Sequence, residues 1–206
     1  MKVIIVRHAE TEWNLCGIIQ GHKDSPLTAR AALETTALLA VLAEENHCVE
    51  CVYSSPLGRA WSMGKALAGY FLCPLIANPS LKEQAFGDYE GTPLTQLQRE
   101  HPDEAKALFV QDARFCPPGG ESLVEASKRV IDFLHEQQAM AMNQTLCIVT
   151  HGQVTQGVLA LLKEGKIDNF SRYYQPNASY SLLEMLDGKC VKLYWGISTH
   201  LRQLAN

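Results

Sequence analysis

The chain has 206 residues, of which 47% are hydrophobic and 19% are charged, and its formal net charge at pH 7 is −4. These values are typical of a globular protein with a sizeable core, and the length favours one domain over residues 1–206. The weak negative charge gives no reason to expect a nucleic-acid or membrane-surface partner.

The N-terminal segment and the cysteines favour a cytoplasmic location. The apolar run between Lys2 and Arg7 is too short for a secretory signal, and no apolar stretch is long enough to span a bilayer. Seven cysteines without a disulfide-rich pattern are typical of a reducing compartment. Cys48 and Cys51, preceded by His47, form a lone CxxC motif, which without a second pair of ligands predicts core or surface thiols rather than a zinc site.

Short apolar runs bounded by turn residues predict strands, and apolar residues at spacings of three and four predict helices. The predicted strands cover residues 2–6, 48–55, 74–78 and 145–151, followed by a last apolar run over 179–195. We expect the first, second and fourth strands to be buried on both faces. The predicted helices cover residues 27–45, with Thr28 as N-cap, and residues 57–71, 94–112, 122–142 and 154–163.

The alternation of strands and helices predicts an α/β fold, a three-layer αβα sandwich with a mainly parallel central sheet. The stretch FCPPGGES at 115–122 interrupts the helical part of the chain with two prolines and two glycines. We therefore expect residues 85–121, here called the cap segment, to form a small helical insertion over one end of the sheet.

Charged and ionisable residues follow several of the predicted strands. Arg7 and His8 end the first strand, Arg59 follows the second, Glu83 follows the third, and His151 ends the fourth. Ligands of open α/β sheets bind outside the carboxyl ends of the strands, so these side chains converge if the strands are neighbours. Each residue alone has an ordinary structural explanation, and only their joint placement indicates a site.

This set of side chains suits a phosphomonoester. The planar fork of an arginine matches phosphate oxygens, and a neutral imidazole nitrogen can attack phosphorus to form a phosphohistidine. The carboxyl of Glu83 is placed to protonate the leaving alkoxide and then to activate water.

Five ordered motifs, VRHAETEWN, SSPLGRA, LKEQAFGDYEG, PPGGES and VTHGQV, resemble those of the histidine phosphatase superfamily, phosphoglycerate mutase-like branch. The resemblance extends from residue 3 to about residue 186. It implies a phosphoglycerate mutase-like fold, with His8 as the phosphorylated nucleophile and Glu83 as proton donor. It also implies a phosphate site that contains Arg7, Asn14, Gln20, Gly21, Arg59, His151 and Gly152. No metal and no cofactor are implied, because the arginines supply the positive charge that a divalent cation supplies elsewhere.

The chain departs from the family pattern at a few positions outside the catalytic groups. Ala31, Glu34 and Thr35 stand where the family usually has Gly, Gln and Ala. Gly58 replaces a common Ser and Met63 a common Thr, so we expect a different start for helix 57–71 and a less tightly held Arg59.

The resemblance covers more than one activity. The compact cap segment favours a metal-independent phosphomonoesterase acting on a small organic phosphate, because an open site lets water reach the phosphohistidine. The alternatives are phosphoglycerate mutase-type phosphoryl transfer and a non-catalytic binder of phosphorylated ligands. The absence of a glycine-rich loop after the first strand speaks against a dinucleotide-binding protein.

The substrate and the assembly are less constrained by the sequence. Chain length and the stretch QGHKDSPLTAR are similar to α-ribazole phosphatases. An aromatic wall suited to a sugar or nucleotide-like phosphate is predicted from Trp13, Phe86, Tyr89, Phe109 and Phe115, although these side chains also fit a core role. Apolar residues in the last strand suggest a homodimer.

Overall fold

A six-stranded sheet is the centre of the computed structural model, which describes residues 1–140 and 143–204. The strand order is β3-β2-β4-β1-β5-β6. The four strands β1, β2, β3 and β4 are parallel to one another, whereas β5 and β6 are antiparallel to their neighbours. The strands are β1 (Lys2–Arg7), β2 (Cys51–Ser54), β3 (Leu75–Ala77), β4 (Thr145–Thr150), β5 (Tyr180–Leu186) and β6 (Lys189–Ile197). The predicted α/β fold with a mainly parallel sheet is confirmed.

Four helices, α2, α3, α6 and α7, cover the two faces of this sheet. The described α-helices are α1 (Glu12–Leu15), α2 (Ala29–Glu44), α3 (Gly58–Phe71), α4 (Leu94–Glu100), α5 (Pro102–Lys106), α6 (Leu123–Met140) and α7 (Gly152–Glu164). Side chains of β1 alternate between the two cores: Ile4 and Val6 pack with α2 and α3, whereas Val3 and Ile5 pack with α6 and α7. None of the described helices is long and apolar enough to cross a membrane.

The cap segment is divided into short helices, so the predicted single helix over 94–112 is wrong. Pro102 disfavours helical backbone at the residue before it, and His101 has φ −137° and ψ 64°. The chain therefore runs through α4, α5 and a π-helical turn, Ala107–Gln111. Apolar side chains of this region form a separate small core, which contains Ile19, Phe86, Leu97, Ala105 and Leu108.

Several predicted boundaries move by a few residues. Helix α7 begins at Gly152, two residues before the predicted start, because His151 takes the N-cap position. Thr28 is the N-cap of α2, but its hydroxyl donates to Glu10 Oε1 (2.9 Å) instead of capping the helix. The predicted helix over 122–142 is observed as α6, and its last two residues lie outside the described part of the chain.

The second predicted strand, expected to be buried on both faces, is only half-buried on one of them. Val52 and Ser54 of β2 are buried, whereas Cys51 and Tyr53 are partly exposed. Strand β2 is the second strand from the edge of the sheet, next to the short edge strand β3. One face of β2 is therefore less completely covered. Strands β1 and β4 have buried interiors, as predicted.

Candidate active site

The carboxyl ends of β1, β4 and β2 lie side by side in the sheet. Arg7 is in register with Thr150, and Ser54 with Val149, so the residues that follow these strands meet at one edge. His8 and His151 consequently have ring centroids 5.1 Å apart. The convergence that the sequence predicts for neighbouring strands is therefore present.

His8 is buried, with 3% of its surface exposed, and its imidazole is oriented by the backbone. The Nδ1–H donates to the Ala9 carbonyl oxygen at 2.7 Å, which leaves the lone pair on Nε2. Burial, followed by the positive charges of Arg59 and Arg7, lowers the pKa of His8 well below its ordinary value. A neutral ring with a free Nε2 has the form that a nucleophile requires.

Two arginines lie beside this imidazole and are held by backbone carbonyls. Arg59 Nη1 donates to Asp24 Oδ1 and to the Lys23 carbonyl, and its Nη2 donates to the Gly21 carbonyl, each at 2.7 Å. Arg7 Nη1 donates to the carbonyl of Gln175. The Nε atoms of both arginines are buried without a partner among the described residues, which leaves N–H donors for an anion.

The predicted less tight hold on Arg59, relative to the family pattern, stays a prediction, but the structure shows what holds it here. Gly58 begins α3 in place of the family's usual serine, and its N–H donates to Asp24 Oδ2 at 2.6 Å. Asp24 thus binds the start of the helix and the guanidinium together, which fixes Arg59 without a serine cap.

Glu83 lies at the N-terminus of α7, where its carboxylate accepts three backbone N–H groups. Oε1 accepts from Gln84 (3.0 Å) and Val154 (2.8 Å), and Oε2 accepts from Gln153 (3.0 Å). The unpaired N–H groups and the positive dipole end of a helix favour a carboxylate at this position. The side chain is buried and lines the same cavity as His8.

Arg129 of α6 supports the segment that carries Glu83, and the sequence analysis did not identify it. Its guanidinium donates to the carbonyls of Ser80, Lys82 and Glu83 and to Glu121 Oε1, at 2.7–2.8 Å. No motif marks this residue, since its role depends on α6 packing against the loop after β3.

The other predicted binding residues lie around His8. Asn14 Oδ1 accepts from Thr11 Oγ1 (3.0 Å) and Asn177 Nδ2 (3.1 Å), which leaves the side-chain NH2 for a ligand. Gly152 allows the guanidinium of Arg7 to lie against the backbone at the start of α7, because a Cβ at this position would lie 3.0 Å from Arg7 Cζ. Gln20 and Gly21 lie in the loop that carries the acceptors of Arg59.

These residues line a cavity of about 310 Å³. The predicted residues in its wall are Arg7, His8, Asn14, Gln20, Gly21, Arg59, Glu83 and Gly152. His151 is not among them: it is fully buried behind His8, with Nε2 2.8 Å from Ser55 Oγ. Burial, Arg59 and the adjacent His8 lower the pKa of His151 well below its ordinary value, so its ring is neutral.

The predicted aromatic wall is only partly correct. Phe86 and Phe109 line the cavity, whereas Trp13, Tyr89 and Phe115 do not. Tyr89 and Phe115 pack on the small core of the cap segment instead. The sequence analysis missed Gln153, Gln156 and Tyr174, which the structure places in the cavity wall. Gln153 belongs to the VTHGQV motif, but the contribution of Gln156 requires the orientation of α7.

The described residues contain no group of three or more His, Cys, Asp or Glu side chains placed to hold a metal ion. Cys48 is exposed and Cys51 partly buried, and neither contributes to the cavity wall. The donors around His8 are guanidinium, amide and imidazole groups, which suit an anion.

Relatives of known name match most of the chain, and two of them match nearly all of it. Phosphoserine phosphatase 1 of Hydrogenobacter thermophilus is 29% identical over 98% of this chain and 94% of its own. A metal-independent phosphoserine phosphatase of Arabidopsis thaliana is 30% identical over 97% of this chain and 83% of its own. A 2,3-bisphosphoglycerate-dependent phosphoglycerate mutase of Bartonella henselae is 26% identical over 78% of this chain and 81% of its own.

Solved structures share the fold. Bacillus stearothermophilus YhfR superposes with a TM-score of 0.88 and 25% identity, over 98% of this chain and 99% of its own. An α-ribazole phosphatase from Shigella flexneri has a TM-score of 0.80 and 25% identity, over 96% of each chain. The family profile of the histidine phosphatase superfamily (branch 1) matches residues 3–198. The resemblance inferred from the sequence motifs is thereby confirmed, and the chain belongs to branch 1 of the histidine phosphatase superfamily.

Proposed function

We propose that this protein is a metal-independent phosphomonoesterase that hydrolyses a small organic phosphate through a phosphohistidine on His8. The observation that carries the proposal is the neutral His8 ring with a free Nε2, next to two arginines whose buried Nε–H donors have no partner among the described residues. A phosphate dianion would supply the acceptors that these donors lack, and it would lie within reach of the nucleophile.

In the first step, His8 Nε2 attacks phosphorus and a P–N bond forms while the bond from phosphorus to the ester oxygen breaks. Arg7 and Arg59 stabilise the charge on the transferring phosphoryl group. We assign to Glu83 the donation of a proton to the leaving alkoxide. The resemblance implies a phosphate contact for His151, but the ring lies outside the cavity wall and 5.1 Å from the ring of His8, so we assign it the role of positioning His8.

In the second step, water attacks the phosphohistidine. Glu83, now ionised, accepts a proton from that water, the P–N bond breaks, and inorganic phosphate leaves with the electron pair returned to His8 Nε2. The three backbone N–H groups that hold Glu83 keep its carboxylate at the cavity for both steps.

We propose further that residues 1–206 form a single domain in which the cap segment covers the site. The cap segment contributes Phe86, Leu94 and Phe109 to the cavity wall, on the side away from the strand ends. The helices α2, α3, α6 and α7 pack on one sheet, which supports a single domain.

A phosphoglycerate mutase is the second candidate, because mutases are among the relatives and share this chemistry. The relatives named phosphoserine phosphatases match 97–98% of this chain, whereas the mutase matches 78% of it. This difference in coverage favours hydrolysis.

The test measures inorganic phosphate release from a panel of phosphomonoesters in the presence of a chelator. We expect release by the wild type and a loss of roughly 10³-fold or more in His8→Ala, because the nucleophile is removed. The control is His135→Ala, an exposed histidine of α6, which should retain full activity.

Other outcomes would contradict the proposal. Conversion of 3-phosphoglycerate to its 2-isomer without phosphate release would indicate a mutase. Tight binding of esters with no turnover of any of them, and no effect of His8→Ala on that binding, would indicate a non-catalytic binder.

A further inference from the structure

The cavity has two ends of different chemistry. The end next to the strands carries Arg7, Arg59, His8 and Glu83, and we call it the phosphate end. The rest of the wall, which we call the alcohol end, is lined by five apolar and three uncharged polar side chains: Ile18, Ile19, Phe86, Leu94, Phe109, Gln153, Gln156 and Tyr174, whose ring centroid lies 5.8 Å from Arg7 Cζ. Whatever alcohol is esterified to the phosphate must contact this second group.

The alcohol end contains no cation among the described residues. Arg7 and Arg59 are the only lysine or arginine side chains in the described cavity wall, and the phosphate would occupy both. A second anionic group of the substrate would therefore have no counterion at this end.

Cations just outside the wall are bound to backbone carbonyls. Lys23 Nζ donates to the Glu90 carbonyl at 2.7 Å, and His22 Nε2 lies 2.9 Å from the Glu83 carbonyl. Arg129 uses its donors on three carbonyls and on Glu121. None of these side chains lines the cavity, so none replaces the missing counterion.

The polar groups at the alcohol end are amides and a phenol. Gln153 Nε2 donates to the Leu108 carbonyl at 3.0 Å, which leaves its Oε1 as an acceptor. Gln156 is buried, and its side chain has no hydrogen-bond partner in the described part of the chain. Uncharged donors and acceptors beside apolar surface suit hydroxyl groups on a ring or a short carbon chain.

Resting on the proposed function, we infer that the substrates are esters of uncharged alcohols and that the site discriminates against phosphorylated carboxylic and amino acids. A carboxylate at the alcohol end would lose water against apolar side chains, without a counterion in the described cavity wall. This specificity separates the chain from its relatives named phosphoserine phosphatases, although they share its phosphate chemistry.

The test compares esters that differ in one carboxylate. Glycerol 3-phosphate and 3-phosphoglycerate form one matched pair, and phenyl phosphate and 4-carboxyphenyl phosphate form the other. We expect kcat/KM to be at least about tenfold higher for the neutral member of each pair, in the range that desolvation of an unpaired polar group produces. Equal or faster hydrolysis of the carboxylated members would overturn the inference while leaving the phosphatase proposal intact.

A charge placed at the alcohol end should reverse the preference. Gln156→Arg is expected to shift the ratio of kcat/KM values about tenfold towards the carboxylated ester of each pair. The control is Gln98→Arg, which adds the same charge on α4 outside the cavity wall and should leave the ratio unchanged. An unchanged ratio in a folded Gln156→Arg protein would contradict the assignment of Gln156 to the alcohol end.

Binding separates failure of this inference from failure of the proposed function. The four esters are titrated calorimetrically into His8→Ala if the wild type hydrolyses them. If the wild type hydrolyses none of them, it is used itself. Tighter binding of the neutral member of each pair would sustain the inference even without turnover. Equal or weaker binding of the neutral members, or no binding of any ester, would overturn it.

Discussion

The two arginines next to His8 have two effects on the same site. Their positive charges and the burial of the ring lower the pKa of His8, which keeps the imidazole unprotonated near neutral pH. The Nε–H donors of the same guanidinium groups have no partner in the described part of the chain. In the proposed mechanism, the groups that bind the phosphoryl oxygens therefore add to the effect of burial in keeping the nucleophile neutral.

The role proposed for Glu83 predicts a dependence on the leaving group. In Glu83→Gln, the kcat/KM for an alkyl ester such as glycerol 3-phosphate should fall by roughly 10²–10⁴-fold, because the alkoxide needs a proton in the transfer to His8, and kcat/KM does not include the later hydrolysis of the phosphohistidine. The loss should be much smaller for 4-nitrophenyl phosphate, whose phenolate leaves without protonation. Rates are measured on both esters, with the exposed Glu44→Gln as control.

An equal loss on both esters would contradict acid catalysis by Glu83. It would indicate instead that Glu83 acts by holding the N-terminus of α7, where Gln153 and Val154 donate to it. Circular dichroism of the variant separates this positional effect from a change in fold.

Helices α6 and α7 carry much of the support of the site, and they pack at very close range. α7 begins with Gly152 and Gln153 at the cavity, and α6 carries Arg129. At the contact between them, a Cβ on Gly157 would overlap with Ser127 Oγ and lie 3.1 Å from Ile167 Cδ1. Glycine at position 157 is therefore needed for this approach, even though glycine is a poor helix former.

Gly157→Ala should destabilise the protein by about 1–3 kcal/mol, because the added methyl group overpacks the contact between α6 and α7. Ser127→Ala in the same chain should restore most of this loss, since it removes the overlapping hydroxyl. Gly69→Ala on α3 is the control: nothing lies within 4 Å of its Cβ, so helix propensity should raise the stability by about 0.5–1 kcal/mol. Urea unfolding measures all three, and no loss in Gly157→Ala would contradict the close contact.

The fold as a whole keeps two histidines neutral and buried, and this links its stability to pH. The pKa values of His8 and His151 are lowered on folding, chiefly by burial. Above the ordinary histidine pKa of about 6.5, both rings are neutral in the folded and the unfolded chain, so they add no pH dependence. Below it the unfolded chain binds protons that the folded chain does not.

The free energy of unfolding should therefore fall as the pH is lowered from about 6.5 towards 5, by up to about 1.4 kcal/mol per pH unit for each histidine. Urea titrations between pH 5 and pH 8 measure this slope, and His8→Asn should reduce it. The lowered pKa of His200 contributes in the same direction. A free energy of unfolding that stays constant or increases as the pH is lowered from about 6.5 to 5 would contradict the neutral burial of both rings.

The edge strand β6 leaves one prediction from the sequence open. Val191, Tyr194 and Trp195 are exposed along it, in agreement with the apolar pattern that suggests a homodimer. Pairing of two subunits through this strand stays a prediction, and the molar mass in solution measures it.

Local patterns were sufficient where neighbouring residues decide the structure. The apolar runs of β1 and β4 and the periodicity of α2, α3 and α6 predicted these elements to within a few residues. The prediction of a single helix over 94–112 is wrong because Pro102 disfavours helical backbone at His101, although the apolar periodicity continues past it. The position of β4 between β1 and β2 follows from strand pairing over long separations, which the local pattern does not contain.

Sequence alone identified the residues that follow the strands, because a strand's end and its next side chains are set within a few positions of one another. It thereby located Arg7, His8, Arg59 and Glu83, and it predicted their convergence once the strands are neighbours. Only the tertiary structure decided that His151 is buried behind His8, that Arg129 holds the Glu83 segment, and that the alcohol end carries no cation. These features depend on how helices from distant parts of the chain pack together, and such packing is set by the whole core rather than by any local stretch.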